Sequence, residues 1–107
     1  GRTWSPPQRI YVKDKLITGI YPRALLTEEG VLAVLRCRLD GSVVFSPDGR
    51  GAIWSDEVIH YSLAESTDHA GMQDMALIGP NTILVIDVLR KGGWHAQGVP
   101  ITVRKKK

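Results

Sequence analysis

Residues 82–89 form an almost unbroken run of apolar, largely β-branched side chains, Thr82-Ile83-Leu84-Val85-Ile86-Asp87-Val88-Leu89. β-Branched residues favour extended backbone, and the preceding Gly79-Pro80-Asn81 is typical of a turn. A strand that lacks regular polar alternation is typical of the buried middle of a sheet. We therefore predict that residues 82–89 form the central and most buried strand of a β-rich protein.

A second strand is predicted from strict alternation in Leu35-Arg36-Cys37-Arg38-Leu39. Period-two alternation indicates one apolar face and one solvent-facing face, so Arg36 and Arg38 are expected to point into water. Cys37, the single cysteine, is expected to be a small buried side chain, and a lone thiol fits a reducing compartment. Asp40-Gly41 and Ser46-Pro47-Asp48-Gly49 predict turns on either side of the next strand.

The remaining segments predict shorter elements. Lys13-Asp14-Lys15 separates two β-forming stretches and indicates a hairpin. Pro22 to Gly30 is predicted to form one or two helical turns, because proline suits the first helical position and glycine the position after the last. Residues 72–78 are ambiguous between a helical turn and an edge strand. Further strands are expected at residues 52–54, 58–63 and 101–103, with a break at Ser55-Asp56-Glu57.

These elements predict a mainly β fold: a small antiparallel barrel, sandwich or roll of six to eight short strands with one or two short helical turns. A chain of 107 residues has the size of one domain. We expect an extended lead-in over residues 1–8, the β-rich domain over residues 9–104 and a basic tail over residues 105–107.

The net charge of +3 comes from the C-terminal end of the sequence. Removing the four basic residues 104–107 leaves ten basic and eleven acidic residues, hence a body of about −1 (10 − 11). Weak nucleic-acid contact is therefore expected only through Lys105, Lys106 and Lys107. No segment has the roughly 18 apolar residues needed to cross a membrane, so the sequence predicts a soluble, cytoplasmic protein.

Two segments, Leu39–Phe45 and Ile78–Val88, resemble the Asp-Gly hairpin turn and the closing strand of the FK506-binding prolyl isomerase family. They cover under a fifth of the chain. The family's central helix, with its pocket-floor tryptophan, has no match between them. No site residue is carried over from this resemblance.

The three histidines lack the close spacing of metal ligands, and neither a metal nor a cofactor is predicted. Acid–base chemistry is the enzymatic hypothesis. His69 and His95, predicted to lie in loops, could act as acid and base on RNA, with Arg50 stabilising a phosphate. His60 falls on the strand face opposite Ile59 and is expected to be solvent-facing or hydrogen-bonded in an interface.

The predicted loops are alternatively interpreted as a binding surface. Trp94 with His95, and Trp4, lie beside glycine or proline, where an aromatic side chain often marks a binding surface. Asp87 interrupts an apolar strand, so its carboxyl group must be paired, hydrogen-bonded or protonated. It could line a ligand cavity or form a salt bridge with an arginine, and the structural pairing is the favoured interpretation. Trp54 is expected in the core.

The leading interpretation is a non-catalytic binding or assembly module that uses an exposed β edge or the aromatic patch, with a protein partner or itself. The alternatives are a small metal-independent enzyme acting on RNA and a β-barrel that binds single-stranded nucleic acid.

Overall fold

The computed structural model describes residues 6–17, 20–37, 41–61, 73–90 and 93–104. These residues contain no helix, and thus none that could cross a membrane. They form nine strands: β1 (Tyr11–Val12), β2 (Lys15–Leu16), β3 (Ile20–Leu26), β4 (Leu32–Cys37), β5 (Gly41–Ser46), β6 (Ser55–Tyr61), β7 (Gln73–Leu77), β8 (Thr82–Arg90) and β9 (Trp94–Thr102). The predicted mainly β class is confirmed, and the arrangement is sandwich-like.

Every strand pairs antiparallel with a neighbour in sequence. The first hairpin is β1–β2, the first large sheet has the order β3-β4-β5-β6, and the second has the order β7-β8-β9. β8 is thus the central strand of its sheet, as its composition predicts. It is not the most buried strand, because all six residues of β5 are buried whereas Ile86 of β8 is 40% exposed. The ambiguity over residues 72–78 resolves as an edge strand, β7.

The two large sheets pack face to face around one core. Inward side chains of both sheets form a single apolar cluster, because alternate residues of a strand point to the same face. Its buried members are Val31, Ala33, Leu35, Val43 and Phe45 from the first sheet and Ile83 and Val85 from the second.

The predicted first hairpin is present but short. Lys13 and Asp14 both have positive φ, at 50° and 66°. Positive φ at both central residues matches the twist of the flanking strands and allows a two-residue connection. The turn at residues 46–49 is also confirmed, with the Gly49 N–H donating to the Ser46 carbonyl at 3.1 Å.

The helical turns predicted for Pro22 to Gly30 are wrong, because most of this segment is strand β3. Proline is tolerated here because the register between β3 and β4 is interrupted between Ile20 and Arg23. On an edge strand, a residue without an N–H need not remove a ladder hydrogen bond. Pairing with β4 therefore prevails over the local helix signals.

The strand predicted at residues 52–54 is also wrong. Residues 50–53 are bends, and β6 begins at Ser55, within the predicted break. Asp56 has a φ of 56° and lies in a β-bulge opposite Val44 and Phe45. A bulge carries a polar residue through a strand without ending it, which turn propensity does not reveal.

Arg36 is buried, with 7% exposure, against the prediction that it faces water. Its guanidinium donates to the Ser42 hydroxyl at 2.7 Å and to the Glu57 carboxylate at 2.8 Å. The side chain of Cys37 and the whole of Arg38 lie outside the described residues. At Arg36, the side of this sheet that points away from the core therefore carries a buried polar network rather than a solvated surface.

We expect the amides of β8 to be among the slowest to exchange with solvent, together with those of β4 and β5, because all three strands hydrogen-bond to strands on both sides. Native-state hydrogen exchange measures this directly. The short β1–β2 hairpin serves as the internal reference for fast exchange. Equal rates in the two would contradict the central position of β8.

Candidate functional site

β8 presents two apolar faces, and only one packs against the other sheet. Its inward residues are fully buried in the interior: Ile83, Val85 and Asp87. The alternate residues Leu84, Ile86 and Val88 point the other way, and Ile86 is 40% exposed. The continuous apolar run thus reflects one buried face and one face open to solvent.

The strands beside β8 extend this open face with small side chains. In register with Leu84, Ile86 and Val88 lie Ala76, Ala96, Gly98 and Pro100, all four exposed. A Cβ on Gly98 would lie 3.4 Å from the Cδ1 atoms of Ile86 and Leu84, so these two side chains lie over the glycine. We call these seven residues the outer face.

The outer face carries little charge. Asp74, in register with Ile86, lies at its margin, and its carboxylate is 3.6 Å from the Arg23 guanidinium of β3. The corresponding face of the first sheet is different, because Ser42, Val44 and Ser46 there are completely buried. Among the described residues, the second sheet therefore differs from the first in having a partly exposed apolar face.

Trp94 and His95 are the first residues of β9 rather than the loop residues predicted. Alternation places Trp94 on the same side as Ala96 and Gly98, at the end of the outer face, where it is 60% exposed. His95 is also exposed but points to the opposite side. The predicted aromatic residue thus adjoins the outer face.

A polar cluster lies between the sheets, where β6 approaches β9. His60 Nδ1 and Asp87 Oδ2 share a hydrogen bond of 2.6 Å, and both side chains are fully buried. Gln97 Nε2 donates to the same Asp87 oxygen at 3.2 Å and to the His60 carbonyl at 3.3 Å. These contacts tie the edge strand of one sheet to the edge strand of the other.

Asp87 is thus paired, as an acid within an apolar strand must be, but its partner is a histidine rather than an arginine. Of the two environments predicted for His60, the hydrogen-bonded one is correct, and its side chain is not solvent-facing. Gln73, the register neighbour of Asp87 on β7, is also buried. Its amide atoms and Asp87 Oδ1 have no hydrogen-bond partner among the described residues.

Farther along β6 and β9 from this cluster, both strands line a cleft of about 800 Å³. Its walls include Ser55 to Val58 on one side and Ile101 to Arg104 on the other, and Phe45 belongs to its apolar lining. Neither β6 nor β9 has a second strand partner among the described residues. The cleft is therefore a gap between two strand edges with an apolar interior.

Glu57 lines this cleft, but its carboxylate is already engaged. It accepts hydrogen bonds of 2.8 Å from Lys15, Arg36 and Ser42. Burial acts to raise the pKa of Glu57, but these donors outweigh it and lower the pKa to about 2. Asp56 and Arg104 supply the other charges of the lining.

The other predicted site residues are distributed as follows. Arg50 is exposed in the loop between β5 and β6, whereas His95 begins β9. His69, Trp4 and Lys105 to Lys107 lie outside the described residues, so the proposed His69–His95 pair and the basic tail stay predictions. Trp54 is only half-buried, against its predicted place in the core, and its indole N–H donates to the Gly51 carbonyl at 2.9 Å.

Sequence reasoning missed two parts of the site. His60 was not considered a candidate, although a buried Asp87 requires a donor from the facing sheet. The outer face was missed because the run 82–89 was interpreted only as a buried strand. The signal that could have revealed it is that a strand with apolar residues on both faces needs a covering layer on each face. A sheet in a two-layer sandwich is covered on one face.

Comparisons with protein-family models, with curated proteins and with solved structures found no match for this chain. The two-segment resemblance to a prolyl isomerase family therefore has no support from a family match.

We expect His60→Ala to destabilise the fold by about 3–5 kcal/mol, because it leaves a buried carboxylate without its main partner. The double variant His60→Leu, Asp87→Leu should recover much of this loss, since apolar replacement of a buried polar pair is often neutral. Urea unfolding measures both. A loss for His60→Ala no larger than for Ile59→Ala, the exposed neighbour, would contradict this role.

The Glu57 network predicts acid sensitivity. Because the folded-state pKa is about 2 and the ordinary value is 4.5, the stabilisation is present above pH 4.5 and is lost as the pH falls toward 2. Glu57→Gln should lower stability at pH 7 and flatten its decline over this interval in urea unfolding series. Asp56→Asn, at the exposed neighbouring position, is the control and should keep the wild-type slope.

Proposed function

We propose that this protein is a non-catalytic assembly module that associates with a second copy of itself through the outer face of its β7-β8-β9 sheet. The observation that carries the proposal is the apolar face in the middle of that sheet, where Ile86 is 40% exposed and Leu84 and Val88 are half-buried. The largest apolar patch on a protein surface is often functional.

The shape of the outer face favours packing against another sheet. Near Gly98 the outer face is shallow, because glycine has no side chain and the side chains of Leu84 and Ile86 lie over it. Sheets pack face to face at about 10 Å when their side chains interdigitate. A second sheet is therefore a suitable cover for this surface.

A second copy is the occupant that the charge pattern supports. A two-fold interface places the same patch on both subunits, so the patch must be complementary to itself. Large single-sign charge would oppose this, but the charges described at the margin of the outer face, Asp74 and Arg23, have opposite signs and lie 3.6 Å apart. Among the described side chains, the outer face thus carries no excess of one sign that would oppose pairing.

The dimensions predict modest affinity. Three strands about 4.8 Å apart, with about 3.3 Å of rise for each residue of β8, outline an area on the order of 400 Å². Standard stable interfaces bury about 800 Å² on each partner. We therefore expect a reversible dimer, with a dissociation constant in the micromolar range.

Trp94 enlarges the patch at the end of β9. Tryptophan is enriched among the residues that dominate interface energies, because it buries a large rigid ring. Its 60% exposure gives it surface to lose on association.

Ile86→Glu should abolish the dimer, since it places a charge at the centre of the buried patch. Trp94→Ala should weaken it by about 2 kcal/mol, a factor of roughly 30 in the dissociation constant. Sedimentation equilibrium over a concentration series from about 1 μM to 1 mM measures both.

The matched control is Ile59→Glu. Ile59 is 49% exposed on a strand of the other sheet, so the substitution adds the same charge at similar exposure outside the outer face. It should leave association unchanged. A wild-type protein that stays monomeric up to 1 mM, or equal effects of the two glutamate variants, would overturn the proposal.

A further inference from the structure

The cleft between β6 and β9 is independent of the outer face. β9 takes part in both, but the outer face uses side chains that point away from the core, whereas the cleft opens along the free edge of the strand. A strand edge presents backbone N–H and C=O groups in its own plane, available to another extended chain.

The hydrogen-bond pattern shows which groups of β9 face the free edge. The Val103 N–H donates to the Asn81 carbonyl at 2.8 Å, so Val103 faces β8. In an antiparallel ladder, residues alternate between facing one neighbour and the other. Thr102 and Arg104 therefore direct their backbone groups away from β8, toward the cleft. By the same alternation, Pro100 faces away from β8, which is consistent with its having no N–H to donate to the ladder with β8.

The opposite wall is the edge of β6. The His60 carbonyl accepts the Gln97 side-chain amide, so at this point a side chain rather than a backbone group joins the two edges. Farther along β6, Ser55 to Val58 line the cleft beside its apolar interior.

An extended polypeptide matches this gap better than a compact ligand. Its backbone can bond to the free edge, and alternate side chains can enter the apolar interior, as in β-strand addition. Four residues of wall, Ile101 to Arg104, correspond to about 13 Å of strand.

Charge defines one end of the peptide. Arg104, two residues past the end of β9, lines the cleft, and the sequence continues from it as three lysines. The β6 wall carries Asp56 and Glu57, and the Glu57 carboxylate is occupied by Lys15 and Arg36. Acidic residues of a bound segment are therefore favoured beside Arg104.

We propose that this cleft binds an extended segment of a partner protein, apolar at alternate positions and acidic at the end beside Arg104, by strand addition to β9. The bound segment spans about four residues inside the cleft. Binding is weak and depends on both the backbone edge and the cationic end.

The test uses the acetylated, amidated peptide Glu-Glu-Thr-Val-Thr-Val-Thr-Val-Glu-Glu in titration calorimetry with the full chain carrying Ile86→Glu. This background separates peptide binding from self-association, so either proposal can fail without the other. Thr102→Pro should weaken binding about tenfold, because it removes a free-edge donor. Thr102→Ala loses the same side chain but keeps the N–H, and it should bind like the parent.

The charge of Arg104 and the backbone hydrogen bonds of the peptide are tested by separate changes. Arg104→Glu should weaken binding and reduce its salt dependence. A peptide N-methylated at all six central residues should not bind, because it cannot form the ladder in either strand direction. Thermal unfolding checks that each variant is folded. No binding of the parent peptide, equal binding of the N-methylated peptide, or full competition by decanoate would overturn strand addition.

Discussion

The pleat of a β-strand sends successive side chains to opposite faces, and in β8 both sets are apolar. One set, Ile83 and Val85, meets the first sheet and completes the core. The other set has no layer above it among the described residues. The same run of sequence therefore fixes where the core lies and leaves a second apolar face that is not covered by another layer of those residues. Association of two copies would cover this face without a further layer from the same chain.

Asp87 gives the packing of the two sheets a fixed register. An apolar strand could slide against the facing sheet with little loss, since Ile and Val contacts are nondirectional. A buried carboxylate held by His60 and Gln97 permits one alignment, because any other leaves it unpaired. The same contacts join β6 to β9 at one point, so the cluster determines where the open part of the seam begins. Positioning of the sheets and shape of the cleft thus have one origin.

Much of the fold follows from local patterns in the sequence. The central position of β8, the hairpin at Lys13 and Asp14 and the turn before Gly49 all follow from strand and turn chemistry. The errors arise where pairing overrides local preference: Pro22 lies in a strand and Asp56 in a bulge. Arg36 alternates like a surface residue but is buried by contacts with Ser42 on the next strand and with Glu57, which is 21 positions away.

The candidate site was less predictable than the fold. Trp94 was found from its sequence context, although it begins a strand and not a loop. The outer face could have been anticipated from the length of the apolar run and the small size of the sandwich. The His60–Asp87 contact spans 27 positions. No local pattern encodes such a contact, since it depends on how two separate sheets are stacked.

The strand order has a consequence for how the chain is made. Each ladder joins strands adjacent in sequence, and within the described parts of the chain no ladder links β3–β6 to β7–β9. Closing short loops costs little entropy, so each meander can form early and by itself, even while the rest is still emerging from the ribosome. The junction between β6 and β7 is then a natural place to divide the gene. Two separately expressed halves would retain every strand ladder and need only to dock, as in fragment complementation.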